Sequence, residues 1–456
     1  MTPIDVLPDD VLLAIFDFCI ARVGYQDKRE IEAWQSLVHV CQRWRTLVFQ
    51  SARRLNLQLY LTPQTPTKDK LDVWPALPLL IRGNMDLSST DNVIAALGQR
   101  SRVHEINLCL AGWKVDEVLA PMQVPFPELT DLQLFSFHET PPAIPDSFLG
   151  GSAPRLRSLT LNSISFPGLP KLLLSATQLV HLSLEYIPLS GYISPEVIVT
   201  TLSVLPSLET LHLRFESPES RPDRKSQSHP PPKRFILPAL REFYFKGVTE
   251  YLEQVMTGID TPQLYRLHID FLNQIDFHCP RLAQFINCTP SLIRPLNEVR
   301  VRFHNLTASI RLRPRFGIDN LLININIPCG EPNRQLSSIE QVFNTSFHPF
   351  STVEDLYIEH PYSQLVWTIE DTPWLELLLP FTAVKDLYLS EESAPGIAAA
   401  LQELVGDRVT EVLPSLQNIF VEELELSGAF RESVGQFIAA RQLSKHPIAV
   451  SEWFPS

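Results

Sequence analysis

The 456-residue sequence contains no C-x-x-C pair and no zinc-spaced set of cysteines and histidines. It also has no apolar run near the roughly 18 residues that a membrane span needs. Six cysteines (Cys19, Cys41, Cys109, Cys279, Cys288 and Cys329) are scattered, mostly in apolar segments. That usage favours buried reduced thiols over a disulfide framework. Positive charge is scarce as well, with 38 Lys and Arg against 51 Asp and Glu and a net charge of −13. Without a basic excess, a general binder of nucleic acid or of anionic membranes is excluded. The first residues lack a basic stretch, and Asp5, Asp9, Asp10 and Asp17 interrupt their apolar residues. No signal peptide is therefore expected, and the expected location is cytoplasmic, nuclear or both.

Catalytic signatures are missing too. The sequence holds no H-E-x-x-H, G-x-S-x-G, G-x-G-x-x-G or G-x-x-x-x-G-K-[ST], and its twelve histidines are dispersed. The expectation is a protein without catalytic residues, metal or cofactor.

What is present begins with two short amphipathic segments. In "PIDVLPDDVLLAIFDFC", Leu7-Pro8 leads into Asp9 and Asp10, and Val11, Leu12, Ile15, Phe16 and Cys19 then fall at helical spacing. Carboxylates suit a helix start, where unpaired N–H groups collect. In "WQSLVHVCQRWRTLV", Leu37, Val40, Cys41, Trp44, Leu47 and Val48 form a second stripe, with Gln42, Arg43 and Arg45 lying off it. The polar stretch from Gly24 to Glu32 reads as a connection between the two. Some 45 residues bury too little surface to stand alone, so these stripes need a cover. It comes either from the chain that follows or from a foreign subunit.

The pair "LPDDVLLAIFDFC … LVHVCQRWRTLV" resembles the F-box, the motif that binds the Skp-type adaptor of cullin-based SCF ubiquitin ligases. The continuation "RRLNLQLYLTPQTPTKDKLDVWPALPLLI" is similar to F-box proteins expanded in mushroom-forming fungi. The likeness covers about residues 3–50, and the connection between the helices is longer than the family's. It implies an adaptor contact through Leu7, Pro8, Val11, Leu12, Ile15, Val40 and Leu47, with Trp44 bracing the helices from inside. It also implies a Skp-type adaptor as partner and, through it, a cullin.

From Val103 onward a six-residue motif of the type L-x-x-L-x-L recurs. It reads "VHEINL" at 103, "LTDLQL" at 129, "LRSLTL" at 156, "LVHLSL" at 179, "LETLHL" at 208 and "LREFYF" at 240. Further copies are "LYRLHI" at 264, "LNEVRV" at 296, "VEDLYI" at 353, "VKDLYL" at 384 and "LQNIFV" at 416, with a degenerate "IDNLLI" at 318. Spacings run from 22 to 35 residues. The fourth and sixth residues of each copy share one side of a strand, because side chains alternate. The stretches between copies have the apolar spacing of short helices. Strand, turn and helix at this period resemble the leucine-rich repeat, whose parallel strands stack so that neighbours cover each other's apolar face.

The expected fold is therefore α/β: a short all-α F-box (1–54), then a transition or cap (55–102). Irregular leucine-rich repeats with a curved parallel sheet would follow (103–440), and a tail would close the chain (441–456). The segment 216–234, "ESPESRPDRKSQSHPPPKR", is nearly free of apolar residues and is expected to be a disordered insertion. Positions three, five and seven of each motif leave the core, and they make the middle third basic and the last third acidic and aromatic. A protein target would meet that face at His212, Arg214, Tyr244, Lys246, Arg266, His268, Arg300, Arg302, Tyr357 and Tyr388. Arginine suits acidic or phosphorylated groups there. No nucleic acid, membrane or second copy of the chain is expected as a partner. Two alternatives stand beside this one: a leucine-rich scaffold whose first helices merely cap it, and an α/β enzyme of unfamiliar type.

Overall fold

Alternation of apolar and polar residues decides where strands form. In "DLQLFS" the side chains of Leu132, Leu134 and Ser136 are buried, while Asp131, Gln133 and Phe135 stay half-exposed. Fully burying each leucine contributes about 1.5–3 kcal/mol, so the neighbouring layer fixes which side faces in. The computed structural model describes residues 6–21, 33–50, 57–62, 67–73, 76, 78–84, 89–110, 115–137, 140–220, 234–272, 279–292, 296–304, 306–314, 322–329, 332–344, 348–360, 374–404, 406–422 and 428–454.

The chain divides into two units: Met1–Ile193 with Val204–Leu208, and Ser194–Ser203 with Glu209–Ser456. The first unit opens with three helices, Asp9–Ala21, Ala33–Val38 and Gln42–Gln50. Six strands follow: β1 (Leu57–Leu61), β2 (Leu79–Asn84), β3 (Val103–Leu110), β4 (Asp131–Ser136), β5 (Ser158–Asn162) and β6 (His181–Ile187). They lie side by side in chain order, each parallel to the one before. Short helical turns such as Thr90–Leu97 and Leu169–Leu173 make the crossovers that parallel pairing requires.

The second unit carries β7 (Thr210–Phe215), β8 (Phe235–Ile236), β9 (Glu242–Gly247), β10 (Ile259–Asp260), β11 (Arg266–Phe271) and β12 (Glu298–His304). It continues with β13 (Thr307–Arg313), β14 (Leu322–Pro328), β15 (Asp355–Glu359), β16 (Asp386–Leu389), β17 (Asn418–Val421) and β18 (Ala449–Glu452). Their lateral order is β7-β9-β11-β14-β13-β12-β15-β16-β17-β18, with β8 and β10 forming a separate small pair. Gly247 closes β9 where a Cβ would come within 2.6 Å of the Phe245 ring, so the aromatic cluster leaves room only for hydrogen there.

A main-chain device makes the motif recur. The carbonyl of motif position two accepts the N–H of position two in the next copy, as His104 does from Thr130 (2.9 Å) and Thr130 from Arg157 (2.7 Å). Glu209 likewise accepts from Arg241 (2.8 Å), Glu354 from Lys385 (2.8 Å) and Lys385 from Gln417 (2.8 Å). Position one is buried beneath it in the described copies, at Leu129, Leu156, Leu240, Leu264, Val353 and Val384 among others. Each copy thus satisfies a backbone group of its neighbour as well as covering its apolar face.

The coarse expectation, a mixed α/β repeat array on a parallel-dominated sheet, agrees with these two units. Four details differ. The array begins two strands before Val103, because β1 pairs in parallel with β2 and β2 with β3, so Leu57–Leu61 and Leu79–Asn84, expected in a cap, belong to the repeat sheet. The sheet is not wholly parallel: β13 runs antiparallel to both β12 and β14. The motif at 296 (β12) therefore lies beside β15, and β14, near the degenerate copy at 318, takes the place beside β11. The physical reason is connection length: β12 and β13 are joined by two residues, too few for a parallel crossover.

Residues 441–454, expected as a tail, belong to the folded unit. β18 pairs with β17, and Arg441, wholly buried, donates to the carbonyls of Leu413 (3.0 Å), Val409 (3.3 Å) and Leu416 (3.4 Å). Of the expected insertion, Glu216–Ser220 is described, with Ser220 buried in a turn, while 221–233 lies outside the described residues.

Candidate functional site

The residues expected to form sites fall on two surfaces, one in each unit. In the first unit, the helix Asp9–Ala21 buries Leu12, Leu13 and Phe16. Phe16 packs on Trp44 with ring centroids 4.7 Å apart, which makes Trp44 an internal brace. Leu37, Val38 and Val48 complete the buried side. The opposite flank is open: Val11, Ile15 and Phe18, spaced four and three along one stripe, are 43%, 41% and 57% exposed. Val6, Pro8, Val40 and Phe49 are exposed too, and Leu7 and Leu47 are half-buried.

The Leu7-Pro8 corner is held from the third helix. Arg43 donates to the Leu7 carbonyl at 2.6 Å and to the Asp9 carboxylate at 2.6 and 3.2 Å. The Pro8 carbonyl in turn accepts from the N–H groups of Val11 and Leu12, both at 3.1 Å. One guanidinium thus fixes the angle at which the corner meets the helix. Of the expected contact set, Leu12 has to be struck out, since it is 1% exposed and belongs to the module's own core. Phe18 takes its place on the open side. The sequence offers a signal for it, because Phe18 lies seven residues after Val11.

In the second unit, cross-strand register lines up one continuous rung on the polar face of the sheet. It runs His212, Tyr244, His268, Asn324, Arg311, Arg300, Tyr357, Tyr388, Phe420, Ser451. The rings of Tyr357 and Tyr388 stack at 4.1 Å and 7°, and those of Tyr388 and Phe420 at 4.6 Å and 10°. Arg300 closes the stack from one side, 4.2 Å from the Tyr357 ring centre, and Trp453 meets Tyr357 and Tyr388 edge-on. The inner ring faces are therefore occupied by one another. This stack is a solid wall rather than an aromatic cage for a cation.

The expected basic strip is largely neutralised from within, which corrects its reading as an open cationic surface. Arg266 pairs with Glu242 at 2.8 Å, and His268 with Asp270 at 2.9 Å. Arg300 is held between Glu298 (2.6 Å) and Glu359 (3.4 Å), and Arg302 reaches Glu359 at 2.5 Å. Burial alone would lower the pKa of Arg300, yet its bonds and proximity to Glu298 and Glu359 raise it. The cause is topological: β12 lies against β15, so acids of the last third face bases of the middle third. Arg214 and Lys246 sit side by side on the next rung, with Asp270 beyond Lys246. His212 packs edge-on against Tyr244 at 4.3 Å, and Tyr244 stacks on His268 at 5.5 Å.

Sequence reasoning missed β13 and with it Arg311 and Arg313. Its signal was the alternation of Ala308, Ile310 and Leu312, all buried, in a segment without the six-residue motif. Among the described residues no three His, Cys, Asp or Glu side chains are grouped to hold a metal, and no helix is long and apolar enough to cross a membrane.

No family model matches the chain, and no curated protein does. Among solved structures it is similar to LegL7 of Legionella pneumophila, a leucine-rich-repeat-containing protein. The two are 14% identical over 84% of this chain and 97% of that one, with a TM-score of 0.29. At that score the likeness carries no argument, and the fold rests on strand register alone.

Proposed function

We propose that this chain is the substrate-recognition subunit of an SCF-type cullin ubiquitin ligase. The three N-terminal helices dock on a Skp-type adaptor, and the polar face of the second unit's sheet holds a protein target. The observation that carries the reading is the open stripe Val11–Ile15–Phe18 beside a Leu-Pro corner clamped by Arg43. An apolar centre with a charged rim, here Asp9, Asp10 and Arg43, is what a protein interface requires. The subunit does no chemistry of its own in this reading: it raises the concentration of target near the ubiquitin being transferred. Its place would be the cytosol or the nucleus, where such ligases work.

Ile15→Asp combined with Phe18→Asp tests it. Both side chains are exposed, so the fold should survive, as circular dichroism would register. Capture by a purified Skp-type adaptor should fall at least about a hundredfold, since central interface anchors contribute 1–2 kcal/mol or more each. Undiminished capture would remove the stripe from the interface. A scaffold unconnected with ubiquitination, the runner-up, rests on the repeat sheet alone and predicts no capture by either protein.

A further inference from the structure

We propose that the open edge of β18 pairs with β18 of a second copy of the chain, joining the two sheets antiparallel across a two-fold axis at Val450. The pairing stands apart from the adaptor and target reading above.

β15, β16 and β17 have a neighbour on each side, whereas β18 ends the lateral order and has β17 alone beside it among the described residues. Its inner edge is satisfied: Ala449 donates to the Gln417 carbonyl at 2.9 Å and Trp453 to that of Val421 at 3.2 Å. Successive residues of a strand direct their main-chain groups to opposite edges, so Val450 and Glu452 aim theirs outward. The apolar row Leu387, Ile419, Val450 is buried at its first two members and half-exposed at Val450. In the helix Gly428–Leu443, Ile438 is half-buried too, and Gly435 has nothing within 4 Å of where a Cβ would stand. Leu443 and Phe454, at the ends of the same segment, are 88% and 78% exposed. Sheet and helix layers thus both stop with apolar side chains uncovered, and an unpaired strand edge is a template for another strand.

A second copy fits because the edge is complementary to itself. With the axis at Val450, the Val450 residues of the two copies face each other. Ala449 then faces Ser451 of the second copy, and Glu452 faces its Ile448. Glu452 also lies diagonal to His446 of the second copy, next to Lys445, and no like charges are opposed. Moving the axis to Ser451 would set Val450 against Glu452 and the two Glu452 side chains diagonal to each other, so charge selects the first register. This pairing runs against the expectation of no second copy; alternation along a strand does not reveal whether its far edge is covered. One strand pair buries less than the roughly 800 Å² per partner of a standard interface, so the dimer should be weak, dissociating on the order of 10 μM.

Sedimentation equilibrium of the full chain, from about 1 to about 200 μM, reads the association directly. The wild type should pass from monomer to dimer and stop there, because a two-fold pair closes on itself. Val450→Pro should stay monomeric: it removes an outward N–H that β17 does not use, and its ring blocks the facing strand. Glu452→Lys should weaken the dimer about tenfold, since it turns attraction to Lys445 and His446 into repulsion at two symmetric places. Leu189→Lys, at an exposed apolar position of the first unit, should associate as the wild type. Circular dichroism checks that each variant folds; if Val450→Pro does not, Glu452→Lys, on the surface, decides alone. A wild type monomeric throughout, growth beyond a dimer, or undiminished association of Val450→Pro or Glu452→Lys would overturn the pairing.

Discussion

The two units carry equivalent rungs on the same kind of backbone, and their chemistry differs. In the first unit the central rung runs Tyr60, Arg82, Asn107, Gln133, Thr160, Ser183. After Arg82 it consists of neutral amides and hydroxyls, among them an Asn107–Gln133 bond of 3.0 Å. Arg82 itself is answered by Glu105 at 2.8 Å. In the second unit the corresponding rung holds two histidines, three tyrosines, two arginines and a phenylalanine, with the neutral Asn324 and Ser451. Buried positions are alike in the two units, since both must fill the space between strand and helix. The polar faces are free of that constraint, and the second has been filled with stacked rings and several ion pairs. A surface so provided is where binding energy can be concentrated.

Acid should separate the units most. His360, at the end of β15, is buried against Phe303, with ring centroids 4.9 Å apart. Burial first, and then the charge of His304, pushes its imidazole down to about 4. The unfolded chain protonates near 6.5, so between about pH 6.5 and 4 the unfolded state binds the proton that the folded state refuses. Stability is therefore intact above 6.5 and lost as pH falls through that window, by roughly 3 kcal/mol from this residue alone. Urea midpoints of the wild type and His360→Leu, followed from pH 7 to 4, should diverge by that amount. Parallel curves would refute it. No buried histidine occupies the first unit among the described residues.

Truncating the rungs sharpens the contrast at the next level. Tyr388→Ala removes the middle of a three-ring stack and its contact with Trp453, a loss of about 2 kcal/mol. Gln133→Ala in the first unit gives up one side-chain hydrogen bond, about 0.5–1 kcal/mol. Chemical denaturation of the two variants should keep that order. Equal losses would mean that the aromatic rung is no more committed than the neutral one.

How much of this was legible in the sequence follows the same division. Positions one, four and six of the motif had to be apolar, so their burial could be read from spacing alone. The open stripe of the first helix could be read only in part. Val11, Leu12, Leu13, Ile15, Phe16 and Phe18 surround the helix, and a pattern apolar on nearly every side does not say which side faces out. Only the fold assigns Leu12, Leu13 and Phe16 to the inside, Phe16 by packing on Trp44. Ion pairs on the sheet were hidden for a different reason. Arg302 and Glu359 stand 57 residues apart, and they meet because β13 and β14 both lie between β11 and β12, which leaves the other edge of β12 to β15. Charge counted along the chain divides into basic and acidic thirds, and strand order then folds one third onto the other.

The smallest effect asked of the comparison is also the most discriminating. Arg311 lies directly opposite Arg300, and Arg302 and Arg313 add like charge that the more distant Glu359 only partly offsets, so replacing it should relieve repulsion rather than remove support. Arg311→Gln should thus stabilise the protein by about 0.5 kcal/mol in dilute chloride free of phosphate, within the range for like charges directly opposed on a sheet. The gain should shrink as salt rises toward molar strength, where screening acts over about 3 Å. The neutral rung of the first unit has no such latent gain, because its one arginine is already matched by Glu105. A loss of stability in Arg311→Gln would show that this guanidinium is a structural member of the sheet, and that the second unit's face, like the first, is complete without a visitor.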